Sequence, residues 1–270
     1  MKAWFITGAS RGFGRLWTVA ALERGDSVAA TARDASALGP VADNYGEQVL
    51  ILPLDVTDRA AAFAAVARAH EHFGRLDVVV NNAGYPQHGM VEELSEADVR
   101  DQIETNLFGA LWVTQAALPF LRAQGSGHVL QVSSIGGITA WPSIGMYNAS
   151  KWALEGISQA MAEEVAAFGV HVTLVEPSGY ATDPARTSTR HATPITDYDI
   201  VRESPSFAQR RVAMTGDPAA TATALLTLVD LPDPPLRVFL GGNALAVAAE
   251  DYQHRLTEWR KWQHLSRAAG

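Results

Sequence analysis

Short apolar runs alternate with longer segments of helical length along most of this chain of 270 residues. Most of the runs are too continuously apolar for a sheet with one solvated face, so they predict strands buried on both sides. The predicted strands are residues 3–6, 27–31, 49–54, 77–80, 128–132, 170–175 and 236–240, with helices between them, for example over 14–24, 59–72 and 152–168. This alternation predicts an α/β fold, a doubly wound sheet of about seven mostly parallel strands with helices on both faces.

No internal repeat or domain-sized linker interrupts this pattern, so we expect a single domain over residues 1–270. Residues 180–215 are polar and irregular, and they contain Pro184, Pro194 and Pro205. A connection of that length inside a compact domain predicts a lid over a functional site, and a variable surface loop is the alternative.

Beyond Gly242, apolar residues recur at alternating four- and three-residue spacing, which predicts a C-terminal helix over about residues 243–266. The residues of this C-terminal stripe are Leu245, Ala249, Tyr252, Leu256 and Trp259. We expect the stripe to pack on the body of the protein, and a dimer contact is the alternative use.

The chain carries 29 acidic and 21 basic residues, with a formal net charge of −8. Nucleic acids and anionic membranes attract proteins with excess positive charge, so neither is an expected partner. The absence of cysteine excludes disulfides, thiol nucleophiles and thiolate metal sites. His70 and His72 point to different sides of a helix, so we predict no metal site. With no signal peptide and no apolar stretch of about 20 residues, we expect a soluble cytoplasmic protein.

A glycine-rich turn follows the first predicted strand and leads into a helix, with the sequence Thr7-Gly8-Ala9-Ser10-Arg11-Gly12-Phe13-Gly14. Glycines let the turn be tight, let the backbone approach a pyrophosphate and let the helix lie close to the strand. The amides at the start of the helix then face the phosphate charge. This placement predicts a Rossmann-type dinucleotide site, and a glycine-rich turn without a ligand is the alternative.

Further motifs follow this turn in a recognisable order. Asn81-Asn82-Ala83-Gly84 comes after the fourth strand, and Asn106 lies in the helix beyond it. Tyr147 and Lys151 form a Tyr-x-x-x-Lys pair, which Ser134 precedes by thirteen positions. Together with the glycine turn, these motifs resemble the short-chain dehydrogenase/reductase family over about residues 2–182.

The resemblance implies catalytic roles for Asn106, Ser134, Tyr147 and Lys151. Tyr147 would give a proton to a carbonyl oxygen that hydride transfer makes negative, and Ser134 would orient that oxygen. Lys151 lies one turn further along the same helix, so its ammonium would lower the pKa of the phenol and hold the nicotinamide ribose. Asn106 would anchor a water that relays protons to solvent. Each residue alone could be a structural contact, but their joint occurrence indicates chemistry.

The end of the second strand discriminates between NAD and NADP, because a carboxylate there binds the ribose 2′-hydroxyl whereas a 2′-phosphate needs a cation. The chain reads Ala32-Arg33-Asp34 at this point, and Arg11 of the glycine turn can approach from the other side. Two guanidinium groups suit a phosphate, so we predict NADP(H). Asp34 counts against this assignment, and solvated surface arginines are the alternative.

The resemblance also implies a larger set of cofactor-binding residues. They are Gly8, Ser10, Arg11, Gly12, Phe13, Gly14, Arg33, Asp55, Val56, Asn82, Ala83, Gly84, Tyr147, Lys151, Pro177, Gly179 and Thr182. Asp55 and Val56 would line the adenine, although Asp55 could instead cap the following helix. The family usually has Pro-Gly where this chain reads Pro177-Ser178-Gly179, so the nicotinamide contacts depart from the pattern.

The predicted substrate pocket is bordered by Trp141, Ile144, Met146 and Tyr180. This apolar, partly aromatic border favours a hydrophobic ketone or aldehyde, or the corresponding alcohol, although Trp141 could equally be a core residue. We therefore predict an NADPH-dependent carbonyl reductase. The alternatives are a noncatalytic NADP(H)-sensing regulator and an epimerase or dehydratase of the extended branch of the superfamily. The resemblance further implies a homodimer or tetramer formed through the helices near residues 106–121 and 152–168.

Overall fold

The computed structural model describes residues 1–180, 189–205, 207 and 216–270. In these residues the strands are β1 (Ala3–Ile6), β2 (Ser27–Ala32), β3 (Val49–Pro53), β4 (Val78–Asn81), β5 (Gln87–His88), β6 (Gly127–Val132), β7 (Val170–Pro177), β8 (Arg190–His191) and β9 (Arg237–Leu240). The α-helices are α1 (Gly12–Glu23), α2 (Gly39–Tyr45), α3 (Arg59–Phe73), α4 (Glu96–Ile103), α5 (Gly109–Gln124), α6 (Gly145–Val165), α7 (Asp199–Arg202), α8 (Ala220–Leu228) and α9 (Ala244–Ala268). A π-helical turn, Glu104–Phe108, joins α4 to α5.

Seven strands form one parallel sheet in the order β3-β2-β1-β4-β6-β7-β9. The predicted fold class is confirmed, and the seven predicted strands are present with ends shifted by at most two residues. The chain leaves β1 on one side towards β2 and later returns on the other side as β4. Ligands of such sheets bind beyond the carboxyl ends of the strands at this reversal. The topology therefore directs attention to the loops after β1 and β4.

A hydrophobic core covers each face of the sheet. Trp4 and Ile6 of β1 lie on the face of the sheet that α1 and α8 cover. Trp17 of α1 and Leu225 of α8 are buried in the same cluster. Phe5, between Trp4 and Ile6, packs on the opposite face with residues of α3, α5 and α6. Successive side chains of a strand point to opposite faces, so a strand covered on both sides has to be apolar at every position. The continuous apolar runs in the sequence have this cause.

His128 of β6 is buried, and it predicts a pH-dependent loss of stability. Thr173 donates to the carbonyl oxygen of Pro235 at 2.6 Å, so its hydroxyl oxygen accepts from Nε2 of His128 at 2.9 Å. Burial, with His171 nearby, lowers the pKa of His128 to about 3 from 6.5. Between these values the unfolded chain binds a proton that the folded protein does not, so stability falls as the pH decreases through this window.

We expect His128 to reduce the free energy of unfolding by roughly 2 kcal/mol between pH 6.5 and pH 5. His128→Gln, which keeps an N–H donor but does not titrate, should show a correspondingly smaller pH dependence in urea unfolding. His72→Gln changes an exposed histidine of α3 and serves as the control. An unchanged pH dependence in His128→Gln would contradict this account.

The C-terminal helix is present as α9, but the prediction for its apolar stripe is wrong. Ala244 and Ala248 are the buried residues of the helix, and they pack against Ile135 and Ile138. The stripe lies on a neighbouring face, where Leu245 is 68% exposed and Trp259 is 57% exposed. Small side chains allow the first turns of the helix to approach the body closely, and this contact orients the larger apolar residues towards solvent. No helix in the described part of the chain meets the length and hydropathy needed to cross a bilayer.

Candidate active site

The loop between β1 and α1 has the shape that an anion-binding turn requires. Gly8 has a φ of +66°, in the left-handed region that glycine adopts without steric cost. A Cβ atom on Gly14 would overlap the carbonyl oxygen of Gly8, so the helix packs on the turn at a distance that only glycine permits. Arg11, which precedes the helix, has no side-chain acceptor with which to cap it. The first amides of α1 are therefore suited to a phosphate group.

The loop after β4 is hydrogen-bonded to this turn. The hydroxyl oxygen of Thr7 accepts from the backbone amides of Asn82 and Ala83 at 2.9 and 3.0 Å. The side-chain amide of Asn82 donates to the carbonyl oxygen of Thr7 at 2.9 Å. Asn81, one residue earlier, points into the protein and donates to the Thr114 hydroxyl at 2.8 Å. The two loops thus form one rigid wall at the reversal of the sheet.

A cavity of about 780 Å³ opens along this wall. The predicted cofactor residues that line it are Gly8, Ser10, Arg11, Gly12, Phe13, Arg33, Asp55, Val56, Asn82, Ala83, Gly84, Tyr147, Lys151 and Pro177. Gly14 lies behind Gly8, and Gly179 lies between Ser178 and Tyr180, which both line the cavity. Thr182 lies outside the described residues. The volume falls within the range of pockets that hold a drug-sized or cofactor-sized ligand.

Two acidic residues near the cavity have local hydrogen-bonding roles. The Asp34 carboxylate accepts from the amide and the hydroxyl of Ser36 at 3.0 and 2.6 Å, and these bonds lower the pKa of Asp34. Asp55 accepts from the amide and hydroxyl of Thr57 at 3.0 and 2.8 Å. Asp58 is the residue that caps α3, so the alternative role considered for Asp55 is wrong.

The predicted catalytic side chains come from two neighbouring elements. Tyr147 and Lys151 lie one turn apart on α6, which begins at Gly145 and so includes both. Ser134 begins the turn after β6 and accepts from the amide of Gly136 at 3.0 Å. A Cβ atom on Gly136 would lie 3.3 Å from the Tyr147 ring and 3.4 Å from the Ser134 hydroxyl oxygen, so the two side chains are neighbours. The structure therefore brings the three residues together at the cavity that the cofactor residues line.

Asn148 holds the serine turn against α6, a role that the sequence analysis missed. Its buried side-chain amide donates to the carbonyl oxygen of Gly136 at 2.8 Å and accepts from the amide of Trp141 at 3.2 Å. Because Asn148 follows Tyr147 directly, these bonds couple the position of Ser134 to that of the tyrosine. The sequence Tyr147-Asn148 carries no motif that would distinguish this buried asparagine from an asparagine on a helix surface.

Burial dominates the electrostatics of the predicted catalytic pair, Tyr147 and Lys151. It raises the pKa of Tyr147 above the usual range, and the nearby hydroxyl of Ser134 opposes this in part. The lysine ammonium lies 5.8 Å from the centre of the tyrosine ring and donates to the carbonyl oxygen of Val132 at 2.7 Å. In the described residues, burial therefore sets the direction of the tyrosine pKa. Burial also lowers the pKa of Lys151 to about 8.

Asn106 lies behind these residues on the π-helical turn. Its side-chain oxygen accepts from the amide of Tyr85 at 3.1 Å, and its nitrogen donates to the carbonyl oxygen of the same residue at 3.0 Å. A Cβ atom on Gly84 would lie 3.0 Å from the Asn106 oxygen and 3.7 Å from the Lys151 nitrogen. Asn106 and Lys151 thus both approach the glycine that ends the Asn-Asn-Ala-Gly motif. Single π-turns inside helices are frequent at functional sites.

Comparisons with known proteins agree with this geometry. The family model for short chain dehydrogenases matches residues 2–193. The chain belongs to the short-chain dehydrogenase family. It is 40% identical to the oxidoreductase BOA17 of Botryotinia fuckeliana over 273 residues, which cover 99% of each chain.

Two solved structures illustrate the likeness in three dimensions. A short-chain dehydrogenase from Streptomyces avermitilis is 36% identical, with a TM-score of 0.91 over 100% of this chain and 99% of that one. An alcohol dehydrogenase from Thermococcus sibiricus, in complex with 5-hydroxy-NADP, is 28% identical. Its TM-score is 0.72, over 89% of this chain and 96% of that one. This protein is accordingly an oxidoreductase of the short-chain dehydrogenase family, whose solved members include nicotinamide dinucleotide complexes.

The structure separates the four predicted substrate residues of this oxidoreductase. Tyr180 lines the cavity and packs edge to face against Phe13, with ring centres 5.3 Å apart. Trp141 packs instead against the cluster at the start of α9, so its assignment to the pocket border is corrected to a packing role. Ile144 precedes α6 and pairs with Gly89, and Met146 lies in the first turn of the helix. Neither of these two is among the described residues that line the cavity.

Among the lining residues of this oxidoreductase that were not assigned to the site are Tyr85 and Arg190. Arg190 donates to the Asp101 carboxylate at 2.7 Å, and its guanidinium lies 4.5 Å from the centre of the Tyr85 ring. Short backbone pairing between β5 and β8 fixes this part of the predicted lid to the body. Tyr85 could have been found because it directly follows the Asn-Asn-Ala-Gly motif. Arg190 belongs to the predicted lid, and no local sequence pattern specifies where the lid runs relative to the site.

Proposed function

We propose that this oxidoreductase reduces a hydrophobic ketone or aldehyde to the alcohol with NADPH. The observation that carries the proposal is the neighbouring pair Ser134 and Tyr147 at the cavity, with Lys151 one helical turn away. Reduction of a carbonyl needs a proton donor beside the oxygen that becomes negative. A tyrosine whose pKa is raised by burial is fully protonated at neutral pH and can serve as this donor.

The roles of the residues follow from their contacts. Bound NADPH would supply the hydride to the carbonyl carbon. Tyr147 gives its hydroxyl proton to the carbonyl oxygen, so that the C=O double bond becomes CH–OH and a phenolate is left. Ser134 orients the carbonyl oxygen with a hydrogen bond, and the Lys151 ammonium stabilises the negative charge nearby. Both side chains are held before the substrate arrives, Ser134 by Gly136 and Lys151 by Val132.

The choice of NADP(H) rests on the charges at the ribose end of the cavity. Arg11 and Arg33 line this end together with the neutral Ala32. Asp34, the residue that counts against a phosphate, has its carboxylate engaged by Ser36. Guanidinium groups form strong, charge-assisted bonds with phosphate. The complex of the Thermococcus sibiricus alcohol dehydrogenase with 5-hydroxy-NADP supports the same cofactor class and the same alcohol–carbonyl chemistry.

The proposal is tested by measuring NADPH oxidation against a panel of aryl ketones, aliphatic ketones, aldehydes and diketones, with NADH in parallel. We expect turnover of at least one hydrophobic carbonyl, and a higher kcat/KM with NADPH than with NADH. Tight NADPH binding without turnover of any carbonyl would favour a noncatalytic regulator instead. Turnover with a preference for NADH would contradict the cofactor assignment alone.

A further inference from the structure

A buried pair of carboxyl groups lies behind the catalytic lysine. Glu155 follows Lys151 by one turn of α6, and its residue is 6% exposed. Glu176, near the end of β7, is 0% exposed. Two ionised carboxylates in such a place repel each other and lose their hydration, so their burial requires compensation.

A single guanidinium group compensates the pair. Arg237 of β9 donates to Glu155 at 2.9 Å, and its Nε atom lies 3.6 Å from an oxygen of Glu176. Another nitrogen of Arg237 donates to Gln159 at 2.9 Å. The shorter contact and the hydrogen bond both go to Glu155. One positive charge therefore faces two acids, and it lies closer to Glu155.

The second acid completes the arrangement by carrying a proton. The carboxyl groups of Glu176 and Glu155 both face the same nitrogen of Arg237, and a buried acid beside an ionised one takes up a proton more readily. In the described residues, neither oxygen of Glu176 accepts a hydrogen bond from a donor. Burial, together with the charge of Glu155, raises the pKa of Glu176 to about 8. At neutral pH Glu176 is thus the neutral partner, and it can donate to Glu155.

Glu155 and Lys151 are both buried and lie one turn apart on the same side of α6. Among the described residues, the titratable and charged groups on or against this part of α6 are Tyr147 and Glu155 on the helix, Glu176 from β7 and Arg237 from β9. From α9, Arg255 lies over the Trp152 ring and pairs with Asp251. Burial lowers the pKa of Lys151, and Glu155 is the group that opposes this. We propose that Glu155, kept ionised by Arg237 and by a protonated Glu176, is the positioning residue that maintains Lys151 as a cation. The effect of Glu155 on turnover rests on the proposed function, whereas its effect on the charge of Lys151 can be tested without that function.

The test reads the titration of the lysine directly. The chain has only three lysines, Lys2, Lys151 and Lys261, so lysine labelled with carbon-13 at Cε gives three NMR signals, assigned with Lys2→Arg and Lys261→Arg. We expect Glu155→Gln to lower the pKa of Lys151 by about one unit. Glu176→Gln imitates the protonated acid and should leave that pKa within about 0.3 units of the original. Glu163→Gln, an exposed acid of the same helix, is the control.

The pKa of Lys151 in the two glutamate variants either supports or overturns the proposal. A lowered lysine pKa in Glu155→Gln alone supports the proposal. An unchanged pKa in Glu155→Gln, or an equal decrease in Glu176→Gln, overturns it. Thermal unfolding of each variant identifies any that fail to fold, and Glu155→Asp, which retains the charge, should then restore the lysine pKa.

The NMR titration needs no substrate, so failure of the proposed reduction is recognised separately. In that case Glu155→Gln would still lower the pKa of Lys151, but no carbonyl would be turned over. Where turnover is found, its loss at high pH should move downwards by the same amount in Glu155→Gln.

Discussion

Tyr147→Phe is expected to lose carbonyl reduction by about 10³-fold in kcat/KM, while NADPH binds with nearly unchanged affinity. The substitution removes the proton donor and leaves the ring, which packs near Gly136. Since burial keeps the tyrosine protonated at neutral pH, the change alters no charge in the free protein. NADPH oxidation measures the first quantity, and a fluorescence titration with NADPH measures the second.

Tyr85→Phe is the matched control for this experiment. Tyr85 also lines the cavity, and its hydroxyl is buried. It hydrogen-bonds to Asn106 through its backbone, so loss of the hydroxyl should leave that contact and most of the activity intact. If Tyr147→Phe retained more than about one-tenth of the activity, Tyr147 would not be the proton donor. If both variants lost activity equally, the effect would come from cavity packing.

The second large effect is expected at the ribose end of the cavity. Arg33→Ala should raise the Kd of NADPH roughly 10- to 100-fold, because a hydrogen bond to a charged group contributes about 1.5–3 kcal/mol. The Kd of NADH should change little, because NADH lacks the 2′-phosphate. Isothermal titration with both dinucleotides measures the two values in one series.

Arg15→Ala is the control for net charge. Arg15 lies on α1 close to the cavity but is not among its lining residues, and it donates to the carbonyl oxygen of Ala37 at 3.2 Å. Its removal should weaken NADPH binding far less than the removal of Arg33. Equal weakening of NADPH and NADH by Arg33→Ala would show that the arginine shapes the site without contacting a 2′-phosphate.

Local chemistry explains which features could be read from the chain alone. The strands were visible because a sheet covered on both faces requires apolar residues at every strand position. The glycine turn was visible because Gly8 adopts a positive φ and Gly14 packs against the carbonyl oxygen of Gly8, six residues earlier. The pair Tyr147 and Lys151 was visible because a helix places residues four apart on one side. In each case the relevant distance along the chain is short.

Tertiary structure decided what depends on contacts between remote segments. Trp141 became a packing residue because α9, about a hundred positions later, passes over it. The stripe of α9 became exposed because the small residues Ala244 and Ala248, on a neighbouring face, make the contact with the body of the protein. The pairing of Glu155 with Glu176 and Arg237 joins α6 to two strands of the sheet. By itself the sequence determined the sheet, the shape of the glycine turn and the spacing of Tyr147 and Lys151, since these follow from backbone sterics and helical or strand periodicity. The charge environment of the lysine and the lining of the pocket depend on which distant side chains the folded sheet brings together, and no local pattern encodes that.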